Sequence, residues 1–330
     1  MKSRLFIFEV DGEKMSKVIY FVIPCYNEGE VLEVTAKKLT EKVKSLIEKG
    51  LISDDSRIAF VDDGSKDNTW SLIRQLSEAN KLISGIKLSR NRGHQNALLG
   101  GLMTVKDLCD ATISLDADLQ DDIDVIDQFI EKFIHEQCDV VYGVRSDRAT
   151  DTGFKRHTAQ LFYKLMSVMG ADVVYNHADY RLLSQRALEG LASFKEVNLF
   201  LRGLVPLVGY KSDVVYYERH ERFAGESKYP LKKMLAFAIE GITSLSVKPI
   251  RLVTILGVTV FLLSLVPLLY SFIQWLNGNT IQGWTTLVLS IWTLGGIQIL
   301  CIGIIGEYIG KIYLETKERP RFIIEEFLND

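Results

Sequence analysis

Arg57-Ile58-Ala59-Phe60-Val61-Asp62-Asp63-Gly64-Ser65-Lys66-Asp67-Asn68-Thr69 contains one complete step from strand to helix. Arg57 to Val61 is mostly apolar, as a strand covered on both faces requires. Asp62 to Ser65 is a turn signal, and Asp67-Asn68-Thr69 offers side-chain oxygens to the unpaired N–H groups of a following helix. The same unit recurs in both directions. Strands are expected at Val18 to Ile23, Ile83 to Leu88, Ala111 to Leu115 and Val140 to Val144. Helices are expected at Glu30 to Glu48, Thr69 to Ala79, Gln95 to Lys106 and Ile123 to Glu136; the first carries Val34, Leu39, Val43, Leu46 and Ile47 at helical spacing. Alternation of this kind predicts an α/β fold built on a mostly parallel, doubly wound sheet. In such sheets ligands bind beyond the carboxyl ends of the strands.

Those ends are polar throughout: Pro24-Cys25-Tyr26-Asn27-Glu28, Asp62-Asp63-Gly64-Ser65, Arg90-Asn91-Arg92-Gly93-His94 and Asp116-Ala117-Asp118-Leu119-Gln120. Each alone reads as well as a turn or helix cap. Gathered on one rim, the carboxylates repel one another unless a cation or a hydroxyl-rich ligand lies between them. Neither G-x-G-x-x-G nor G-x-x-x-x-G-K-[ST] occurs, so the usual glycine-rich phosphate cradles are absent. A nucleotide diphosphate would instead be held through a divalent metal. Asp118, with Asp116 behind it and Gln120 beyond, supplies hard oxygen ligands suited to Mg²⁺ or Mn²⁺. His94 and His220 have no spaced partner and read as structural.

The chain has 330 residues, 47% of them hydrophobic and 25% charged, with 39 Lys+Arg against 42 Asp+Glu and a net charge of −3. It is neither a disordered tail nor a disulfide-stapled miniprotein, and it lacks the basic excess of a nucleic-acid binder. A mean hydropathy of +0.10 is high for a soluble enzyme. The cause is local: residues 252 to 306 contain no Asp, Glu, Lys or Arg. Two apolar runs, Leu252 to Ile273 and Trp284 to Gly306, are each long enough to cross the roughly 30 Å hydrocarbon core. Tyr270, Trp275 and Trp284 near their outer ends suit an aromatic belt. Lys232, Lys233, Lys248 and Arg251 precede the pair and Lys311, Lys317, Arg319 and Arg321 follow it, which places both termini and the charged domain in the cytoplasm, at the inner membrane. No signal peptide is expected, and Met15 is a candidate start. Cys25, Cys109, Cys138 and Cys301 form no C-x-x-C pair, which suits a reducing compartment.

The boundaries expected are an extension over 1–17, an α/β domain over 18–229, an amphipathic juxtamembrane helix over 230–251, two spans over 252–306 and a cytoplasmic tail over 307–330. Phe154 to Met169 and Leu231 to Val247 are amphipathic and basic, as helices lying in the membrane interface are; packing against the preceding α/β domain explains the same pattern, equally well for Phe154 to Met169. Gly295, Gly296, Gly303, Gly306 and Gly310 suggest close helix contacts and hence a homo-oligomer.

Four motifs resemble the inverting GT-A glycosyltransferases: Val22 to Glu28, Val61 to Thr69, Asn91 to Ala97 and Asp116 to Asp121. Ala178 to Ser184, Arg219 to Tyr229 and the two-span tail narrow the resemblance to the polyprenyl-phosphate glycosyltransferases, the dolichol-phosphate mannose synthases and the bacterial bactoprenol glucosyltransferases. The likeness runs from about Val18 to Phe322. It implies that Pro24, Tyr26, Glu28, Val61 and Asp63 line the nucleotide, with Asp116 and Ala117 in the same loop. It also implies that Asp118 and Gln120 bind the metal, and that Arg145, Arg222 and Lys228 meet the phosphates of donor and acceptor.

The expected reaction moves a hexose from a nucleotide diphosphate sugar to a polyprenyl phosphate, with inversion. Closeness to the bacterial group favours UDP as the nucleotide and glucose or N-acetylglucosamine as the sugar; GDP-mannose is the alternative. Asp179 is the candidate base, with a buried partner for Arg181 as its other reading. A processive polysaccharide synthase would carry Q-x-x-R-W and more spans, and a non-catalytic scaffold would be expected to lose acidic rim residues. This chain shows neither pattern.

Overall fold

The computed structural model describes residues 16–146, 177–197, 199–218, 248–255 and 283–329, with scattered positions between 257 and 277. Arg222, Lys228, His220, the stretches 154–169 and 231–247, and the extension over 1–15 lie outside the described residues.

Five strands and four helices form where the apolar periodicity places them. These are β1 (Ile19–Cys25), α1 (Leu32–Glu48), β2 (Arg57–Asp62), α2 (Thr69–Ala79), β3 (Ile83–Leu88), α3 (His94–Val105), β4 (Ala111–Ser114), α4 (Ile126–Ile134) and β5 (Val140–Arg145). They are followed by β6 (His177–Ser184), α5 (Gln185–Ala192), α6 (Leu201–Leu207), β7 (Ser212–Tyr217), the long helix α7 (Trp284–Thr316) and β8 (Ile324–Leu328). The eight-stranded sheet runs β7-β5-β6-β4-β1-β2-β3-β8. β4, β1, β2 and β3 are mutually parallel, as is the β5–β7 pair.

The sheet is covered on both faces. Leu32, Ala36, Leu39, Val43 and Leu46 of α1 pack with Phe21, Ile23, Phe60 and Phe129 in one core cluster. Ala97, Leu98, Leu102 and Val105 of α3 join Val22, Val61, Leu188 and Leu204 in the other. α3 lies so close to the sheet that a Cβ at Gly101 would sit 2.5 Å from Val61 Cγ2 and 2.6 Å from Val22 Cγ1.

Two features differ from the sequence reading. β5 does not join β4 directly, because β6 runs antiparallel between them, Ser114 opposite Arg181 and Val141 opposite Leu182. The last residues are not a free tail. β8 pairs antiparallel with β3, setting Ile86 opposite Phe327, and so completes the sheet with residues that follow α7 in the chain. Phe322, Ile324 and Phe327 pack against the second core cluster, and Asn329 Oδ1 accepts from Ser84 Oγ at 2.8 Å and Tyr20 Oη at 3.2 Å. Glu325 and Glu326 pair with Lys87 and Arg74, charging an otherwise exposed edge.

α7 also passes the expected end of the second span at Gly306. Its 33 residues extend about 50 Å at about 1.5 Å each, more than the hydrocarbon core needs. Within it, Leu294–Thr316 is long and apolar enough to cross a membrane and lies almost wholly exposed. Its end is tied to the α/β domain: Val197 N–H donates to Glu315 Oε2 at 2.8 Å, and Arg321 Nη1 donates to Phe194 O at 3.0 Å. Residues 248–255 are helical, as are the described positions from 257 to 273. A Cβ at Gly295, Gly296, Gly303, Gly306 or Gly310 would meet nothing within 4 Å in the single chain.

Candidate active site

Parallel β1, β2, β3, β4 and β5 all end on one rim. Antiparallel β6 begins there, which brings Asp179 beside the end of β4. The first two loops are latched together: Asn27 N–H donates to Ser65 Oγ at 2.9 Å, Lys66 N–H to Asn27 Oδ1 at 2.8 Å and Glu28 N–H to Thr69 Oγ1 at 2.9 Å. Asn27 has φ 54, a left-handed conformation that asparagine tolerates better than most residues.

Asp63 links β2 to β3. Its oxygens accept from Arg92 N–H at 2.7 Å and Gly93 N–H at 2.9 Å, and burial raises its pKa although both bonds oppose the shift. Between the loops, Gly64 has φ +66, and a Cβ there would lie 2.6 Å from Asn91 N and 2.7 Å from Arg90 C. Gly64→Ala therefore forces backbone apart in a conformation that disfavours alanine. We expect a loss of about 2–4 kcal/mol, read as a fall in the thermal unfolding midpoint.

The loop after β4 carries Asp116, Asp118, Gln120 and Asp121. Leu119 takes φ 53, a strained value for leucine, and Gln120 N–H then meets Asp118 Oδ1 at 3.2 Å. Thr35 Oγ1 holds the loop from α1 by donating to Ala117 O at 2.7 Å. His94 Nε2 lies 3.0 Å from Asp116 Oδ1. Desolvation works against both charges, but the pairing outweighs it, raising His94 and holding Asp116 below the usual carboxylate range. Burial first, and the charge of Asp116 next, push Asp121 up to about 6. Asp121 Oδ1 accepts from Tyr217 Oη at 2.5 Å, whereas Asp121 Oδ2 is buried without a hydrogen-bond partner. A desolvated group of hard oxygens, one of them orphaned, fits a divalent cation.

Among the described residues, the trio of His, Cys or carboxylate ligand atoms lying within 4.8 Å of one another is Glu136, Cys138 and Asp213. It sits at the amino ends of β5 and β7, away from this rim. Lys132 already pairs with both of its acids.

Asp179 lies between two guanidiniums. It pairs with Arg181, which is 1% exposed, and with Arg202 Nη2 at 3.1 Å. Burial disfavours its charge, but Arg202 and then Arg181 outweigh that and hold the carboxyl far below its usual range. This environment suits a positioning partner better than a proton acceptor. A depressed carboxyl contributes stability that is complete above the unfolded pKa and lost as acid protonates it, so thermal stability should begin to fall below about pH 4. Asp179→Asn should remove the share of that acid dependence owed to this carboxyl and leave the share owed to Asp116 and the other depressed carboxyls.

The remaining expected residues are distributed unevenly. Tyr26 is 41% exposed on the rim, and Glu28 is half-buried beside it. Val61 is 0% exposed, its side chain packed against α3 and its backbone in the ladder opposite Pro24. Pro24 is likewise buried in β1. Arg145 stands at the end of β5, its Nη2 3.9 Å from Asp121 Oδ1. His94, structural by its sequence context, pairs with Asp116 on this rim, and Arg202 and Tyr217, which no sequence motif marks, reach it from α6 and β7.

Residues 20–191 match the model of glycosyl transferase family 2, and residues 248–312 match the GtrB C-terminal hairpin. The chain belongs to glycosyl transferase family 2. It is 56% identical over 308 residues to the "Uncharacterized glycosyltransferase YkoT" of Bacillus subtilis (strain 168), covering 93% of this chain and 91% of that one. It is 39% identical over 309 residues to the "Prophage bactoprenol glucosyl transferase homolog" of Escherichia coli (strain K12), and 40% identical over 309 residues to the "Bactoprenol glucosyl transferase" of Shigella phage SfX. Both of these alignments cover 93% of this chain and 98% of the relative. This family 2 glycosyltransferase thus has a GT-A type α/β domain, a C-terminal hairpin of the GtrB kind and one helix long and apolar enough to cross a membrane.

Proposed function

We propose that this glycosyltransferase moves a hexose, glucose first among candidates, from a UDP-sugar to the phosphate of a polyprenyl chain at the cytoplasmic face of the inner membrane, with inversion. The observation that carries this reading is the acidic loop Asp116 to Asp121 on the rim of a sheet whose last strand is continuous with the apolar helix α7. A water-borne donor and a membrane-bound acceptor call for such a joint. The names of the bactoprenol glucosyl transferases supply the lipid and the sugar.

Asp118 and Gln120 hold Mg²⁺ or Mn²⁺, which when bound neutralises charge on the departing diphosphate. Tyr26 and Glu28 face the nucleotide, and Asp63 and Ala117 shape the loops around it. Arg145 meets the donor phosphates. Arg222 and Lys228 receive the lipid phosphate, whose second pKa near 6 leaves it mostly dianionic and reduces the need for a strong base. Asp179 accordingly orients Arg202 and Arg181 rather than taking a proton. Both spans cross the membrane with the termini inside, and the open glycine face of α7 contacts further copies.

Thermal-shift screening of UDP-glucose, UDP-N-acetylglucosamine and GDP-mannose, each with Mn²⁺, tests the donor. A ligand at a hundred times its Kd should stabilise the domain by about 2.7 kcal/mol. A shift with UDP-sugars is expected. A shift with GDP-mannose alone would move the chain to the mannose synthases, and no shift with any donor would count against a nucleotide-sugar site.

A further inference from the structure

The geometry points to Tyr217 as a positioning residue that joins the acidic loop to Arg145, so that loop and phosphate-binding arginine are set as one unit. This rests on the donor-site reading above and names a residue that reading did not use. Tyr217 closes β7, directly opposite Arg145 in the parallel β5–β7 ladder. Its hydroxyl donates to Asp121 Oδ1 at 2.5 Å and accepts from Arg145 Nε at 3.4 Å. Its carbonyl accepts from Ser146 N–H at 2.9 Å and Ser146 Oγ at 3.0 Å, which fixes the chain just past Arg145. The ring is 2% exposed and stands edge-on to Tyr180, with centroids 5.3 Å apart and planes at 82°. Tyr180 Oη in turn donates to Asp122 O at 3.0 Å, so both ends of this tyrosine pair grip the segment that follows Gln120.

The hydroxyl has a definite task because Asp121 and Arg145 are opposite charges 3.9 Å apart at Asp121 Oδ1. Left to themselves they would close into a direct ion pair, and the guanidinium would be drawn from a diphosphate toward the carboxylate. A neutral hydroxyl between them satisfies Asp121 with a donor and Arg145 with an acceptor, leaving the other guanidinium nitrogens for phosphate oxygens. Phenylalanine preserves the ring and its packing and removes only this spacer.

The test is a double-mutant cycle on the full detergent-solubilised chain, reading UDP affinity with Mn²⁺ by calorimetric titration. Tyr217→Phe is expected to weaken UDP about tenfold and Arg145→Ala more, with the double variant no weaker than Arg145→Ala alone. In turnover, Tyr217→Phe should raise KM for the UDP-sugar more than it lowers kcat. Losses that multiply across the cycle, or a Tyr217→Phe chain that binds UDP normally, would overturn the coupling while leaving the donor site standing. An unaltered chain that binds neither UDP nor GDP with Mn²⁺ would overturn the donor-site reading and this inference together. Unfolding midpoints of the variants separate a local effect from a general loss of fold.

Discussion

Ending the chain after Thr316 is expected to lower the unfolding midpoint of the catalytic domain by about 10–20 °C, although every removed residue follows the membrane helix. The truncation strips β8 from β3, takes Phe322, Ile324 and Phe327 from the second core cluster, and leaves the buried Ser84 hydroxyl without Asn329. Three partly buried apolar side chains contribute about 1–2 kcal/mol each, and the lost ladder and polar contacts bring the sum to about 5 kcal/mol. A domain of this size is stable by only about 5–15 kcal/mol and shifts by about 2–4 °C per kcal/mol. The ion pairs contribute little of this. Arg74 is 49% exposed where it meets Glu326, so Glu325→Ala with Glu326→Ala should cost no more than about 1 kcal/mol. Limited proteolysis and thermal unfolding of the truncated chain measure the effect. An unchanged midpoint would mean that the strand is an appendage.

Asp118→Ala should reduce sugar transfer by at least about a thousandfold with Mg²⁺ or Mn²⁺ in excess. The metal's share in stabilising a departing diphosphate is several kcal/mol, and each 1.36 kcal/mol is about tenfold in rate. The fold should be retained, because Asp118 lies on the rim rather than in either core cluster. Transfer within tenfold of the unaltered chain would remove Asp118 from the metal site. Asp63 provides the contrast: its carboxylate holds two backbone N–H groups of the β3 loop, so Asp63→Asn is expected to act mainly through stability.

The parts legible in the sequence are those in which one residue pattern answers to one physical demand. Buried parallel strands need unbroken apolar runs, and their helices need an apolar stripe, so β1 to β5 and α1 to α4 fall within a few residues of the expected bounds. β6 was hidden because Asp179 and Arg181 interrupt it, charges that look unsuited to a central strand until each is seen to neutralise the other. β8 was hidden because Glu325 and Glu326 make a short edge strand read as a solvated tail. The acidic loop was legible from residue type alone. His94, Arg202 and Tyr217 were not, since their importance comes from neighbours distant in sequence: Asp116, Asp179 and Asp121. Alternation along β2 turns the side chain of Val61 toward α3, which its place beside Asp62 and Asp63 in the motif does not reveal.

Transfer of a sugar from a nucleotide to a lipid phosphate is read by incubating the full-length chain in detergent with UDP-[¹⁴C]glucose, Mn²⁺ and undecaprenyl phosphate, extracting with organic solvent, and determining the anomer of the product. Label should pass into the solvent as an acid-labile β-glucosyl phospholipid only when the lipid phosphate is present. Label that stays in the aqueous phase as UDP-glucose, or an α-linked product, would contradict it.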